Sequence, residues 1–249
     1  MKVSKYYIIY IENKISKEYV GHTQESCRKL GLKYELFKGY MPNSQKDLWR
    51  NFKNTAGIEV KNYKHMAKGA AGCTASHAHL WKKIYDNREC AVILEHDAMM
   101  LWPMTIDIPD GKIVSLGHKY RNWDKYDYQT AGPPQTHYDV SCAPGSHAYA
   151  ITWKTAEKLV QDIEKEGITE AIDNRHFMHT RKNWTEVPIA MTDPIAAMGW
   201  LRESTIQSYS ATHNHVPEMA KSFTDNFDSP LRENVVVQRR PKSINNKTA

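Results

Sequence analysis

The chain lacks long hydrophobic runs. No stretch of its 249 residues approaches the ~18 consecutive apolar residues that a membrane-spanning helix needs. Its opening, Met1-Lys2-Val3-Ser4-Lys5 before Tyr6-Tyr7-Ile8-Ile9-Tyr10, is basic but carries no small-residue cleavage site. It reads as a first β-strand rather than a leader peptide, and the expected location is the cytoplasm, with a peripheral membrane position as the second option. Cysteine is scarce. Cys27, Cys73, Cys90 and Cys142 fit no zinc or redox spacing, so they are expected to be reduced core thiols. Without export, the triplets Asn183-Trp184-Thr185 and Asn246-Lys247-Thr248 carry no meaning as glycan acceptors. The body also has little net charge. Residues 229–249 hold five basic residues and one acid, which is +4 of the net +6. A fold that binds nucleic acid across its whole surface is therefore disfavoured, and any such partner would act through the basic tail.

What is present is an alternation of short apolar runs and amphipathic stretches. Tyr6–Ile11 has the continuous apolar character of a strand buried on both faces. A helical stretch follows to Gly31, a natural C-terminal cap. Tyr34–Phe37 reads as a strand, and 41–68 as a long loop region with some helix. Residues 74–87 place His77, Leu80, Trp81 and Ile84 on one helical face. Ala91–Leu94, Ile113–Leu116 and His147–Ile151 read as strands, the last feeding a helix that ends at Gly167. This order predicts an α/β fold with a mostly parallel central sheet and flanking helices. One domain is expected over residues 1–228, followed by a flexible tail over 229–249.

Two local patterns carry chemistry. Ala91–Leu94 runs into Glu95-His96-Asp97, so two carboxylates at i and i+2 stand at the carboxyl end of a parallel strand, where ligands of open α/β sheets bind. Two hard oxygen donors there suit Mn²⁺ or Mg²⁺. Ahead of them, Gly69 and Gly72 precede Cys73, Ser76 and His77. Glycines there allow close backbone approach, and helix-start amides can face an anion. An acidic solvated turn and locally satisfied helix-start residues are the plainer alternatives for these two patterns.

Together the patterns resemble glycosyltransferase family 25, which includes lipooligosaccharide-biosynthesis and collagen galactosyltransferases. Gly69, Gly72, Cys73, Ser76, His77 and Trp81 match its Gly-x-x-Gly-Cys-x-x-Ser-His-x-x-x-Trp motif. Leu94, Glu95, Asp97 and Ala98 match the acidic strand end. Gly145, Ala148 and Tyr149 match a later strand. Pro188, Ser204 and Ile206 match the closing segment, so the resemblance spans about residues 5–207. Two departures stand out. His96 replaces a middle acid, and Ile15–Tyr19 replaces an Arg-rich stretch.

The resemblance implies a GT-A-like fold, a nucleotide-sugar donor and inverting transfer to a glycan or lipid-linked saccharide. It makes Glu95 and Asp97 metal holders and Asp173, by motif position, the base. Gly72, Ser76, His77, Glu95, Asp97 and His147 become candidate donor-binding residues. A C-terminal histidine, His213 or His215, is a candidate third metal ligand, with His215 preferred. Trp102, Trp123 and Tyr126 stand where an acceptor would approach. The same chemistry on a hydroxymethylated nucleobase or a protein side chain, and a decayed sugar-binding module, are the alternatives.

Overall fold

A computed structural model describes residues 1–117, 132–140, 143, 145–172, 176–177 and 187–199. Nine strands and four α-helices occur among them. In chain order they are β1 (Lys5–Tyr10), α1 (Lys14–Lys29), β2 (Tyr34–Lys38), α2 (Gln45–Ala56), α3 (Lys68–Asp86), β3 (Cys90–Glu95) and β4 (Ala98–Met100). Then come β5 (Ile113–Ser115), β6 (Thr136–Val140), β7 (Ala148–Thr152), α4 (Trp153–Glu166), β8 (Ile189–Asp193) and β9 (Ala197–Gly199). Seven strands form one sheet in the order β2-β1-β3-β7-β5-β8-β6, and β4 pairs with β9 separately.

The α/β class is as expected, but the sheet is mixed rather than mostly parallel. β1 pairs parallel with both β2 and β3, and β5 with β8. β7 inserts antiparallel between β3 and β5, and β6 runs antiparallel to β8. A strand covered on both faces has the same apolar sequence whichever way it runs, so direction leaves no mark in the pattern.

Alternation along the strands divides the core. Tyr7, Ile9, Ile93, Tyr149 and Ile151 pack on one face with apolar residues of α2, α3 and α4. Tyr6, Ile8, Val92, Leu94, Ala148 and Ala150 pack on the other with Val20 and Cys27 of α1. The result is a helix–sheet–helix sandwich, and this double cover explains why β1 reads as an unbroken apolar run.

Helix ends follow local chemistry. Asn13 caps α1 through a 2.7 Å bond from the Ser16 N–H, and Gly31, at φ +66°, ends it. Ser44 caps α2, and Gly57 closes it in the left-handed region. This complete helix lies within the stretch read as mostly loop. Its apolar face, Leu48, Trp49, Phe52 and Ala56, is buried, and the chain carries a Ser-x-x-Asp start and a glycine stop around it. α3 likewise begins at Lys68, six residues before its expected start, so Gly69 and Gly72 lie inside the helix rather than ahead of it.

No helix among the described residues is long and apolar enough to cross a membrane. Burial pushes the Cys27 thiol up to about 12 and the Cys90 thiol up to about 11, as expected of reduced core cysteines. Cys73 departs from that expectation, because it is only partly buried. Cys142 and the 229–249 tail lie outside the described residues.

Candidate functional site

β2, β1 and β3 run side by side in one direction, so their carboxyl ends share an edge. Ile9 stands opposite Glu95, and Tyr10 opposite Lys38. A pocket of about 250 Å³ opens there. Ile9, Ile11 and Asn13 line it from the end of β1, Tyr40 to Asn43 from the segment after β2, and Lys68, Gly69, Cys73, Ser76 and His77 from α3. Glu95 and His96 close it at the end of β3. The start of α3 has no side-chain cap. Its first-turn amides and the Lys68 ammonium therefore give the rim a positive character.

Glu95 gathers several donors at one oxygen. Its Oε1 accepts hydrogen bonds from Ser146 Oγ, from His77 Nε2 at 3.2 Å and from Cys73 Sγ at 3.9 Å. Behind it runs a buried chain of aromatic donors. Trp81 Nε1–H donates to the Tyr149 oxygen at 2.8 Å, and that hydroxyl lies 2.7 Å from His77 Nδ1. One proton arrangement satisfies every contact. Trp81 donates to Tyr149, Tyr149 donates to Nδ1, and the hydrogen left on Nε2 donates to Glu95. Trp81, Tyr149 and His77 are each at most 1% exposed, whereas the Glu95 side chain retains 15% exposure toward the pocket. The carboxylate is thus held rigidly from behind by charge-assisted bonds.

Gly72 and Ser76, expected at the donor, fix the pocket wall. Ser76 Oγ donates to the Gly72 carbonyl at 2.7 Å and accepts from the Tyr40 N–H at 2.9 Å. A Cβ on Gly72 would stand 2.5 Å from the Tyr40 carbonyl oxygen. The helix and the Tyr40–Asn43 segment can approach this closely only because residue 72 has no side chain. Gly72→Ala should therefore destabilise the fold by about 1–3 kcal/mol. That is a drop of roughly 2–12 °C in midpoint for a chain of this size, read by thermal melting. An unchanged midpoint would show that the segment yields freely.

The two acids of Glu95-His96-Asp97 part company. Strand alternation would point them the same way, but β3 stops at Glu95, and His96 and Asp97 form a turn into β4. Asp97 is buried at 6% exposure and is not among the pocket-lining residues. Thr23 Oγ1, on α1, lies 2.7 Å from the carbonyls of both His96 and Ala98, which ties this turn to the opposite layer. The backbone carbonyl of His147 accepts the Glu95 N–H at 2.8 Å, and its side chain is buried. Trp102 follows β4 and is absent from the pocket lining. Asp173, His213, His215, Trp123 and Tyr126 lie outside the described residues.

Mg²⁺ and Mn²⁺ take shells of oxygen. The one group of three or more potential ligands among the described residues is Cys73, His77 and Glu95, which Asp97 does not join. A thiol and an imidazole beside a single carboxylate do not suit a hard cation.

The sequence patterns matched Cys73, Trp81 and Tyr149 to family motif positions without placing them at the site, and left Ser146 unassigned. For Cys73 a signal existed. Its spacing of four from His77 puts both on one helical face once the helix is known to start at Lys68. Ser146 had none, because only the antiparallel pairing of β7 with β3 brings its segment to Glu95.

Residues 3–103 match the family model of glycosyltransferase family 25 (LPS biosynthesis protein). The match includes the whole Gly69–Ala98 motif region, while the correspondences expected at 145–149, 173 and 188–206 lie beyond it. None of the curated proteins matches the chain in sequence. Among solved structures, the chain is similar to an active-site variant of LgtC, with TM-score 0.45 and 9% identity over 89% of this chain and 94% of that one. It is similar to galactosyltransferase LgtC in complex with donor and acceptor sugar analogues, with TM-score 0.43 and 10% identity over 90% and 95%. A third is a glycosyltransferase involved in glycosylation of the major capsid of PBCV-1, with TM-score 0.40 and 9% identity over 80% and 96%.

Proposed function

We propose that this chain, which carries a glycosyltransferase family 25 segment over residues 3–103, moves a hexose, galactose or glucose, from a UDP-sugar to a hydroxyl of a glycan or lipooligosaccharide acceptor with inversion. The observation that carries the reading is the pocket at the shared carboxyl edge of β1, β2 and β3, with an anion-attracting rim and a fixed carboxylate as its floor. Ligands of α/β sheets occupy this position.

Each part has a task in such a reaction. The leaving group is a nucleoside diphosphate, whose growing negative charge needs positive groups in fixed positions. Lys68 and the first-turn amides of α3 supply them at the rim. Ile9 and Ile11 give the pocket its apolar side, which suits the face of a nucleobase or sugar. Glu95 faces the pocket with one oxygen engaged by protein donors, and it orients the polar end of the donor. Inversion by direct displacement needs one base on the acceptor hydroxyl. Asp173 takes that role. Its chain neighbour Ile172 is buried and donates its N–H to Thr74 Oγ1 of α3, the helix bordering the pocket, at 3.1 Å.

Titration calorimetry with UDP tests the rim. Lys68→Ala should weaken UDP binding by about 3- to 10-fold at low salt, and the difference should shrink as ionic strength rises. Equal affinity for UDP in both proteins at low salt would place the diphosphate elsewhere.

A further inference from the structure

Cys73 and His77 stand one turn apart on α3, and Glu95 reaches them from the end of β3. Their Sγ, Nε2 and Oε1 atoms all lie within 4.8 Å of one another. The Sγ–Oε1 separation is 3.9 Å and the Nε2–Oε1 separation 3.2 Å. Tetrahedral zinc with ordinary Zn–S, Zn–N and Zn–O bonds sets neighbouring ligand atoms about 3.3–3.6 Å apart. Two sides of the triangle are therefore already near those of a zinc shell, and the third is at most 4.8 Å.

Donor chemistry and surroundings point the same way. Thiolate, imidazole and one carboxylate form a borderline-soft set, which favours zinc over magnesium or manganese. Thiolate and carboxylate together also balance the charge of a divalent ion. Each ligand has its own support. His77 is held at Nδ1 by Tyr149, which is held by Trp81, and Glu95 is held by Ser146. Such outer partners orient the ligands of metal centres. All three residues also line the pocket, so a fourth coordination position would open toward a ligand or water.

We propose that Cys73, His77 and Glu95 form a three-residue zinc site at the floor of this pocket. Binding releases one proton, from the Cys73 thiol to solvent, as the Zn–S bond forms. The imidazole stays neutral. Its hydrogen moves from Nε2, which becomes a ligand, to Nδ1, which then donates to the Tyr149 oxygen in place of accepting from it. The site stands independently of the transferase reading, since metal binding is measured without any sugar.

The test uses the full chain, stripped with chelator and then titrated with Co²⁺ and, separately, Zn²⁺. Expected are one zinc per chain by elemental analysis after dialysis and, with Co²⁺, a near-ultraviolet thiolate-to-cobalt band with the visible absorption of tetrahedral cobalt. Cys73→Ser should abolish the thiolate band, and Tyr149→Phe should weaken zinc binding by about 10-fold or more. Excess Mg²⁺ should not displace the cobalt. A wild-type chain that shows no thiolate band and retains no zinc overturns the proposal, as does a band that persists unchanged in Cys73→Ser. Circular dichroism accompanies each variant. If Cys73→Ser does not fold, the wild-type titration and Tyr149→Phe decide, and unaltered zinc affinity in folded Tyr149→Phe counts against the site.

Discussion

Changing Asp173 to asparagine should lower hexose transfer by about 10²–10⁴-fold, the usual worth of a general base, while UDP-sugar affinity stays within a few-fold of wild type. Asparagine keeps the size of aspartate and much of its hydrogen bonding, but it cannot take the acceptor proton. The change therefore separates proton removal from shape. Ile172, anchored to Thr74 on α3, ties the preceding backbone to the helix that borders the pocket. Product formation is measured alongside calorimetric binding of the donor. A fall in binding equal to the fall in transfer would make Asp173 a donor-binding group, and transfer near the wild-type rate would remove it from the chemistry altogether.

Glu95→Gln should lower turnover by at least about 10²-fold with the fold intact, the scale of losing one fixed electrostatic group in an active site. The amide still offers an oxygen, but it loses the charge on which Ser146, His77 and Cys73 converge. It also brings an N–H₂ group that opposes these donors if it rotates toward them. The amide end is then free to turn, and the donor meets a neutral, misaligned group. Turnover and thermal midpoint are read on the same preparation. Loss of activity only in step with loss of folded protein would make Glu95 a structural clamp and nothing more.

The α/β class and the position of the site were legible because they rest on local signals. The apolar run of β1, the amphipathic face around Leu80, Trp81 and Ile84, and an acid ending an apolar strand each follow from residues close in sequence. What escaped depends on contacts between distant segments. Ser146 lies about fifty residues beyond Glu95 in sequence, and it reaches Glu95, as Tyr149 reaches His77, only because β7 docks antiparallel beside β3. Asp97 fails to stand with Glu95 because the strand ends between them, and a boundary shift of one or two residues reverses where a side chain points. Helix α2 was expected only as some helix within a long loop region. Its cap, its stop and its apolar face are all in the sequence, but its polar residues outnumber that face and blur the period. Gly72 was read as a point of close backbone approach, and its lack of a side chain admits the Tyr40 carbonyl.

On the proposed function, the pocket at the carboxyl edge of β1 and β3 takes a UDP-hexose and releases UDP. The direct measurement is nucleoside diphosphate release from a panel of UDP-, GDP- and ADP-hexoses, with and without mixed glycan acceptors, by wild type and by Glu95→Gln. Release is expected from UDP-galactose or UDP-glucose above the other donors, stimulated by acceptor and lost in the variant. Folded wild-type protein that releases no nucleoside diphosphate from any donor, or releases it equally well with Glu95 replaced, would contradict it.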